Sequence, residues 1–304
     1  MDLAREIDIY CERVSAAFWA EPFNALTNVA FILAGIAALW LQGQRGPAGT
    51  GRQLLAGTLM AAGIIAFFAH TIGLLWAISA GPLYLPLVVP VYVLSVVFVA
   101  AGLLAQPAAW AAPAPNWPVA WLSGNAIVVG IGSFLFHSYA TPWAGLADTG
   151  PIMMFIFGTF AIVMNRFVGL RWRTAALATV AFVAGMVVMS AGLRQVLNEA
   201  VLGAYAEFAN SKSYYPALLA LFATGLWLHL ARAHPAGGVM MRAGGIFAIS
   251  LVFRTLDGPL CPWLPIGTHW LWHLFNALVF WVILSGLVRY GRAPAPVSAG
   301  LGTR

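Results

Sequence analysis

Charged residues are scarce in this chain. Of its 304 residues only 8% are charged, whereas 62% are hydrophobic. A soluble domain of this length carries about a quarter charged residues, so the composition excludes an ordinary soluble protein. It indicates a single integral membrane domain over residues 1–304.

Lysine is scarcer still, because Lys212 is the only one in the chain. A retinal protein needs a lysine inside a helix core, and Lys212 lies outside the long apolar runs, which excludes that class. The N-terminus also lacks a cleavable signal pattern, since residues 1–17 are polar and mixed in charge. We therefore expect the first apolar run to remain in the protein as a helix.

Long apolar runs divide the chain into candidate membrane helices. About 20 apolar residues suffice to cross a bilayer, and turns rich in Gly and Pro separate the runs. Nine runs come near this length: 22–42, 53–79, 84–106, 118–138, 149–166, 173–193, 214–233, 240–255 and 266–289. The sequence therefore predicts an all-α polytopic membrane bundle of about nine spans.

Charge is distributed unevenly over this topology. We call the side of the membrane that carries residues 1–21 the N-terminal side. All nine carboxylates fall on it, whereas ten of the fifteen cations fall on the opposite side, which the positive-inside rule makes cytoplasmic. This distribution explains the pI of about 9.7 without a nucleic-acid partner. We expect the N-terminus outside the cytoplasm and the C-terminus inside it.

Three histidines are predicted to share one depth in the membrane. His137 closes its span, and His269 and His273 open the last one, so all three lie at the N-terminal side. Residues four apart share one face of a helix. Three neutral imidazoles with one open position match a catalytic zinc site. Three separate interhelical hydrogen bonds are the alternative, and a haem site is a rival metal interpretation.

Further polar residues are predicted on the same side. Ser133 lies four residues before His137 and hence on the same helical face. Asp148 is predicted to open the next span, and Glu21 and Asn24 to open the first. A helix contact or a helix cap would explain each of them alone. Because all four are predicted on the same side as the three histidines, we expect them to belong to one site with the histidines.

Cys11 and Cys261 are the only two cysteines. Both are predicted on the N-terminal side, which the charge distribution assigns to an oxidising compartment where disulfides persist. We expect a disulfide between them, with two free thiols as the alternative.

Four stretches of the chain resemble a known family. They are IDIYCERVSAAFWAEPFNALTN, GIGSFLFHSYATPWAGLADTGPIMMF, NSKSYYPALLAL and FRTLDGPLCPWLPIGTHWLWHLFNAL. Through them the chain resembles the alkaline ceramidase family, most closely its bacterial ceramidase-domain members. The resemblance implies a seven-helix membrane bundle with a zinc site. The two additional spans, 53–79 and 84–106, would then form an inserted helical hairpin within residues 53–117.

The resemblance also implies roles for individual residues. Zinc would be held by His137, His269 and His273, with Ser133 and Asp148 beside it. A calcium site would be built from the N-terminal acidic segment, with oxygen ligands from Asp8, Glu12, Glu21 and Asn24.

The function implied is zinc-dependent hydrolysis of the amide bond of a ceramide-like N-acyl lipid, which yields a fatty acid and a sphingoid base. Zinc would activate water and polarise the carbonyl, Asp148 would act as general base, and Ser133 would hydrogen-bond to the oxyanion. The expected location is the inner membrane of a bacterial cell. A seven-helix zinc-containing receptor and a lipid-binding or transport protein without turnover are the alternatives, and Ser133 with Asp148 favours hydrolysis.

Overall fold

The structure is a computed structural model that describes residues 3–45, 116–197 and 211–291, together with the single positions 51, 55, 58, 59 and 97. All regular secondary structure in these ranges is helical, which confirms the predicted all-α class.

Eight α-helices make up the larger described ranges. A short α1 (Pro22–Thr27) runs into α2 (Val29–Arg45), with Asn28 between them. A π-helical turn (Met164–Val168) extends the fourth helix, and a 3-10 turn (Lys212–Tyr214) precedes the sixth. The remaining helices are α3 (Trp117–Tyr139), α4 (Pro142–Val163), α5 (Trp172–Val196), α6 (Tyr215–Arg232), α7 (Ala236–Leu260) and α8 (His269–Tyr290).

Seven helical segments within the described ranges are long and apolar enough to cross a membrane. The first combines α1 and α2, and the other six correspond to α3 through α8. Each matches one of the nine predicted spans, which supports an integral membrane bundle. The other two predicted spans, 53–79 and 84–106, lie outside the described residues except for isolated positions, and so does the proposed insertion 53–117.

Two predicted helix boundaries were wrong. The helix that carries Asp148 was predicted to begin at residue 149 but begins at Pro142, because proline is favoured in the first turn of a helix. Asp148 therefore lies in the second turn and is no helix cap. The span predicted as 240–255 extends from Ala236 to Leu260, since glycines in membrane helices allow close helix contacts and do not break the helix.

The helices follow one another around a closed bundle. Contacts run from α4 through α3, α2, α8, α7 and α6, and α5 closes the circle between α6 and α4. Helices α3 and α8 bury the largest share of their residues, whereas α5 is almost entirely exposed. An apolar helix that is exposed in this way is suited to contact with lipid.

The N-terminal segment folds back over one end of the bundle. Ala140 adopts a left-handed conformation (φ 46°) that ends α3 and turns the chain towards α4. Its carbonyl oxygen accepts a hydrogen bond from the backbone N–H of Ile7 (2.7 Å), and Trp143 donates to the carbonyl of Leu3 (3.4 Å). Residues 3–21 therefore lie against the end of the bundle where α3 ends and α8 begins.

Candidate metal centre

His137, His269 and His273 meet at this end of the bundle. Each offers one ring nitrogen, and these three atoms lie within 4.8 Å of one another. The side chains come from the last turn of α3 and the first two turns of α8, and their exposed fractions are only 1%, 2% and 0%. The structure therefore brings together the three histidines that the sequence predicted to lie at one end of the bundle.

A hydrogen bond at His137 determines which of its two ring nitrogens could bind a metal. Its Nδ1 lies 2.6 Å from Oε2 of Glu21, which also accepts a bond from the Asn24 side-chain amide (3.0 Å). An ionised carboxylate only accepts hydrogen bonds, so Nδ1 carries the proton. The lone pair on Nε2 then faces the histidine cluster, as in the carboxylate–histidine–metal arrangement of metalloenzymes.

His273 is oriented by a hydroxyl in the same way. The Thr27 Oγ1 atom donates to the carbonyl of Phe23 (2.7 Å) and lies 3.0 Å from Nδ1 of His273. Because its single proton is used in the first bond, the hydroxyl accepts the Nδ1–H of His273. Its Nε2 lone pair is therefore also available.

His269 is positioned through the backbone at the start of α8. One carboxylate oxygen of Asp257 accepts the N–H groups of Thr268 (2.7 Å) and His269 (2.9 Å), and the other accepts the N–H of Cys11 (3.1 Å). Gly267 makes this arrangement possible, since its φ is +61° and a Cβ atom there would collide with Asp257. Asp257 thus joins the N-terminal segment to the helix that carries two of the histidines.

Each of the three histidines has one ring nitrogen without a partner among the described residues. His137 Nε2, His273 Nε2 and His269 Nδ1 are buried, and none has a hydrogen-bond partner in the described part of the chain. Leaving a buried polar atom unsatisfied costs about 1–3 kcal/mol, which makes three adjacent ones an unfavourable arrangement without a ligand. The three histidines are therefore a candidate metal site, and a catalytic zinc ion commonly has three protein ligands with a fourth position open to water or substrate.

Ser133 and Asp148 add two further unsatisfied groups beside the histidines. Ser133 Oγ and Asp148 Oδ1 are buried without a hydrogen-bond partner among the residues described. Asp148 interacts electrostatically with His137, and the Ser133 side chain is near enough to influence it, although the geometry of a hydrogen bond is not met at Ser133 Oγ. The structure therefore brings together all five residues that the sequence predicted for this site.

Two aromatic residues at the site were not predicted from the sequence. The Tyr10 ring lies 3.9 Å from that of His269 and 5.0 Å from that of His137, measured between ring centroids. Trp272 stacks on His269 at 5.1 Å. Burial raises the pKa of Tyr10 well above its ordinary value, so the phenol remains neutral. Tyr10 precedes Cys11, and the predicted disulfide was the sequence signal that could have placed it here.

The acidic segment is not arranged as a calcium site. Both oxygens of Glu12 accept backbone N–H bonds at the start of α1, from Phe23 (2.6 Å) and Asn24 (2.8 Å). Burial raises the pKa of Glu12, and these bonds oppose that shift. Asp8 is exposed. Calcium needs free oxygen ligands from several groups, and within the described ranges only the three histidines form a candidate metal group.

Glu21 is engaged by nitrogen donors in the same way. It accepts bonds from the His137 ring, the Asn24 amide and the Arg13 guanidinium. Burial alone would raise the pKa of Glu21, but these three donors outweigh burial and lower it. The carboxylates of Glu12 and Glu21, two of the residues that the resemblance assigned to calcium, are therefore engaged by protein donors, whereas Oδ1 of Asn24 has no partner among the described residues.

Cys11 and Cys261 lie at disulfide distance, with 5.3 Å between their Cα atoms. This spacing is in the usual range for a disulfide, and the predicted pairing is present. It links the segment that carries Tyr10 to the loop that precedes α8.

An apolar pocket lies inside the bundle next to the histidines. Phe31, which contacts the His273 ring, and Trp272, which stacks on His269, both line it. Along α4 its wall is formed by residues on one helical face, from Ile152 to Val163. The eleven helical steps from Ile152 to Val163 span about 16 Å. Asp148 lies one turn before Ile152 on that face.

No family model, no curated protein and no solved structure matches the chain. The resemblance to the alkaline ceramidase family therefore remains a prediction.

Proposed function

We propose that the protein is a zinc-dependent hydrolase of the membrane that cleaves the amide bond of ceramide-like N-acyl lipids. One observation carries the proposal. Three histidine nitrogens, the Ser133 hydroxyl and one Asp148 oxygen are buried together without partners in the described residues, next to an apolar pocket.

His137, His269 and His273 would hold the metal. Zinc bound there would supply Lewis acidity, which polarises a carbonyl and activates water. Amide hydrolysis further needs a group that removes a proton from the attacking water and returns it to the leaving nitrogen. Asp148 has this role, because it is a carboxylate with an unsatisfied oxygen beside the histidines.

Ser133 has the role of oxyanion donor. Its hydroxyl lies one helical turn before His137 on the same face of α3 and has no partner within the described residues. A neutral hydroxyl donates a hydrogen bond without adding charge, and such donors stabilise the charge that develops on a tetrahedral carbonyl oxygen.

The pocket supports a lipid substrate. Its wall is almost wholly apolar, and the aromatic side chains of Phe31 and Trp272 form its boundary with the metal centre. A fatty acyl chain inside it would place its amide carbonyl beside the histidines. The exposed helices, α5 above all, leave the bundle in contact with the bilayer from which such a substrate enters.

The charge distribution supports an orientation in an inner membrane of a bacterial cell. Every Asp and Glu in the described ranges belongs to the N-terminal side, whereas Arg166, Arg232 and Arg289 lie at the opposite helix ends. By the positive-inside rule the active site faces away from the cytoplasm. A disulfide at Cys11 and Cys261 agrees with an oxidising environment there.

The direct test is release of free fatty acid from N-acyl sphingoid lipids by purified protein in detergent or liposomes. We expect turnover that a zinc chelator abolishes and that added zinc restores. His273→Ala should be inactive, whereas His229→Ala, which removes an exposed imidazole from α6, should retain wild-type activity.

Two results would contradict the proposal. Turnover that survives complete removal of zinc would exclude the metal mechanism. Zinc-dependent binding of the lipid without any release of fatty acid would favour the alternative of a seven-helix receptor or lipid-binding protein.

A further inference from the structure

Arg13 is a buried cation next to the candidate metal centre. Its side chain is 1% exposed, and each of its three guanidinium nitrogens donates a hydrogen bond. Nε donates to Oε1 of Glu21 (2.5 Å), Nη1 to the carbonyl of Ser15 (3.0 Å) and Nη2 to the carbonyl of His137 (2.9 Å). A buried charge is tolerated when it is paired and fully hydrogen-bonded, as this one is.

These bonds hold one metal-binding histidine at two points. The His137 ring donates its Nδ1–H to Oε2 of Glu21 (2.6 Å), and its backbone carbonyl accepts from Arg13. Arg13 also fixes Glu21 by donating to its carboxylate. The side-chain amide of Asn24 is the third donor to this carboxylate. A continuous chain of hydrogen bonds therefore runs from Arg13 through Glu21 to Nδ1 of His137. The other ring nitrogen of His137, Nε2, would bind the metal.

The same contacts occupy the position that the family resemblance assigned to calcium. Glu21 and Asn24 were two of the four expected calcium ligands, and the cation that Glu21 faces is a guanidinium. Its planar set of donors matches a carboxylate better than a point charge does. Glu12, a third expected ligand, is already bonded to the backbone of α1.

We propose that Arg13 is a positioning residue that acts as a built-in cation: it fixes Glu21 and thereby the orientation of His137, and it makes the metal centre independent of calcium. This inference rests on the three-histidine zinc site of the proposed function but not on the hydrolytic reaction.

The experiment measures the zinc affinity of the full-length protein by competition with a chelator, and the absorption spectrum of the cobalt-substituted protein. Arg13→Met leaves Glu21 buried without its cation, and we expect a zinc dissociation constant about 10- to 100-fold higher, as is typical when the support of a metal ligand is removed. The cobalt spectrum should shift, because the geometry of His137 changes. Arg5→Met, which removes an exposed arginine of the same segment, should change neither reading.

Two further variants separate positioning from a general loss of folding. Arg13→Lys keeps the charge but not the planar donors, so its zinc affinity should lie between those of Arg13→Met and the wild type. Arg13→Met combined with Glu21→Gln removes both charges and leaves an amide oxygen to accept from His137. This double variant should bind zinc more tightly than Arg13→Met alone.

The last part of the experiment tests whether calcium affects the protein. The zinc affinity and the thermal unfolding of the wild type should be the same in calcium and in a calcium-selective chelator. A calcium-dependent wild type, or an Arg13→Met variant with unchanged zinc affinity and cobalt spectrum, would overturn the inference. If Arg13→Met does not fold, a double variant no better folded than the single one would overturn it as well. A wild type that binds no zinc would overturn both proposals, whereas zinc binding without lipid hydrolysis would overturn the proposed reaction alone.

Discussion

Asp148 is the residue whose role separates catalysis from metal binding. Its buried Oδ1 atom has no hydrogen-bond partner within the described residues, and no imidazole of the cluster depends on it for orientation. Asp148→Asn preserves the size of the side chain but removes its ability to take a proton. We expect zinc content to remain at the wild-type level while turnover of N-acyl lipid falls by about 100- to 10,000-fold.

The matched control is Thr149→Val, since Thr149 is the next residue on α4 but is exposed and bonds only to the carbonyl of Gly145. Both variants are assayed for zinc by elemental analysis and for fatty acid release. Asp148→Asn with wild-type turnover would assign the proton transfer to another group.

At the residue scale the sequence predicted the groups that follow a helical period and missed those that do not. His269 and His273 are four residues apart, as are Ser133 and His137, and that spacing alone places each pair on one face. Tyr10 and Arg13 precede the first helix, where no period constrains them. Their contacts depend on how residues 3–21 fold back over the bundle, which is a tertiary feature with no local signal.

At the scale of elements, the contact between α3 and α4 brings Ser133 towards Asp148. Pro151 has no N–H, so the carbonyl of Ala147 lacks the helical hydrogen bond that residue 151 would otherwise donate. A Cβ atom on Gly132 would lie inside van der Waals contact with this same carbonyl. The two backbones therefore touch one residue away from Ser133 and one residue away from Asp148, the two proposed catalytic groups.

Gly132→Ala should push these helices apart. The neighbour is backbone and cannot move aside, so we expect a loss of roughly 1–3 kcal/mol, as is usual for overpacking, and reduced turnover. Thermal unfolding in detergent measures the first effect and fatty acid release the second. Gly124→Ala on the same helix meets no atom within 4 Å and should be neutral or stabilising. Equal stability of the two alanine variants would show that the close contact is absent.

Hydropathy predicted the existence of the seven described spans because a bilayer demands about 20 apolar residues of each. It did not predict their ends. Pro142, Gly237 and Gly238 fell in predicted turns, whereas Pro142 opens α4 and the two glycines lie in the first turn of α7. In a membrane bundle, contacts with neighbouring helices decide whether such residues break a helix.

At the scale of the whole molecule, the Cys11–Cys261 pair joins the N-terminal segment to the loop that precedes α8, beside the candidate metal centre. Thiol labelling under denaturing conditions, on protein taken from its native membrane, should find no reactive cysteine before reduction and two after it. In the chain-entropy model, closing so long a loop stabilises the folded protein by about 4 kcal/mol. The figure is lower in a membrane, because insertion already restricts the unfolded chain. Two reactive thiols before reduction would contradict both the bond and the proposed outward orientation of the site.

The zinc content of purified protein tests the central claim most directly. Three histidine ligands with one open position predict about one zinc per chain. His137→Ala, His269→Ala and His273→Ala should each lose it, while His229→Ala retains it because that imidazole is exposed outside the site. Full zinc occupancy in all three site variants, or a wild type that binds no zinc after loading, would contradict the account.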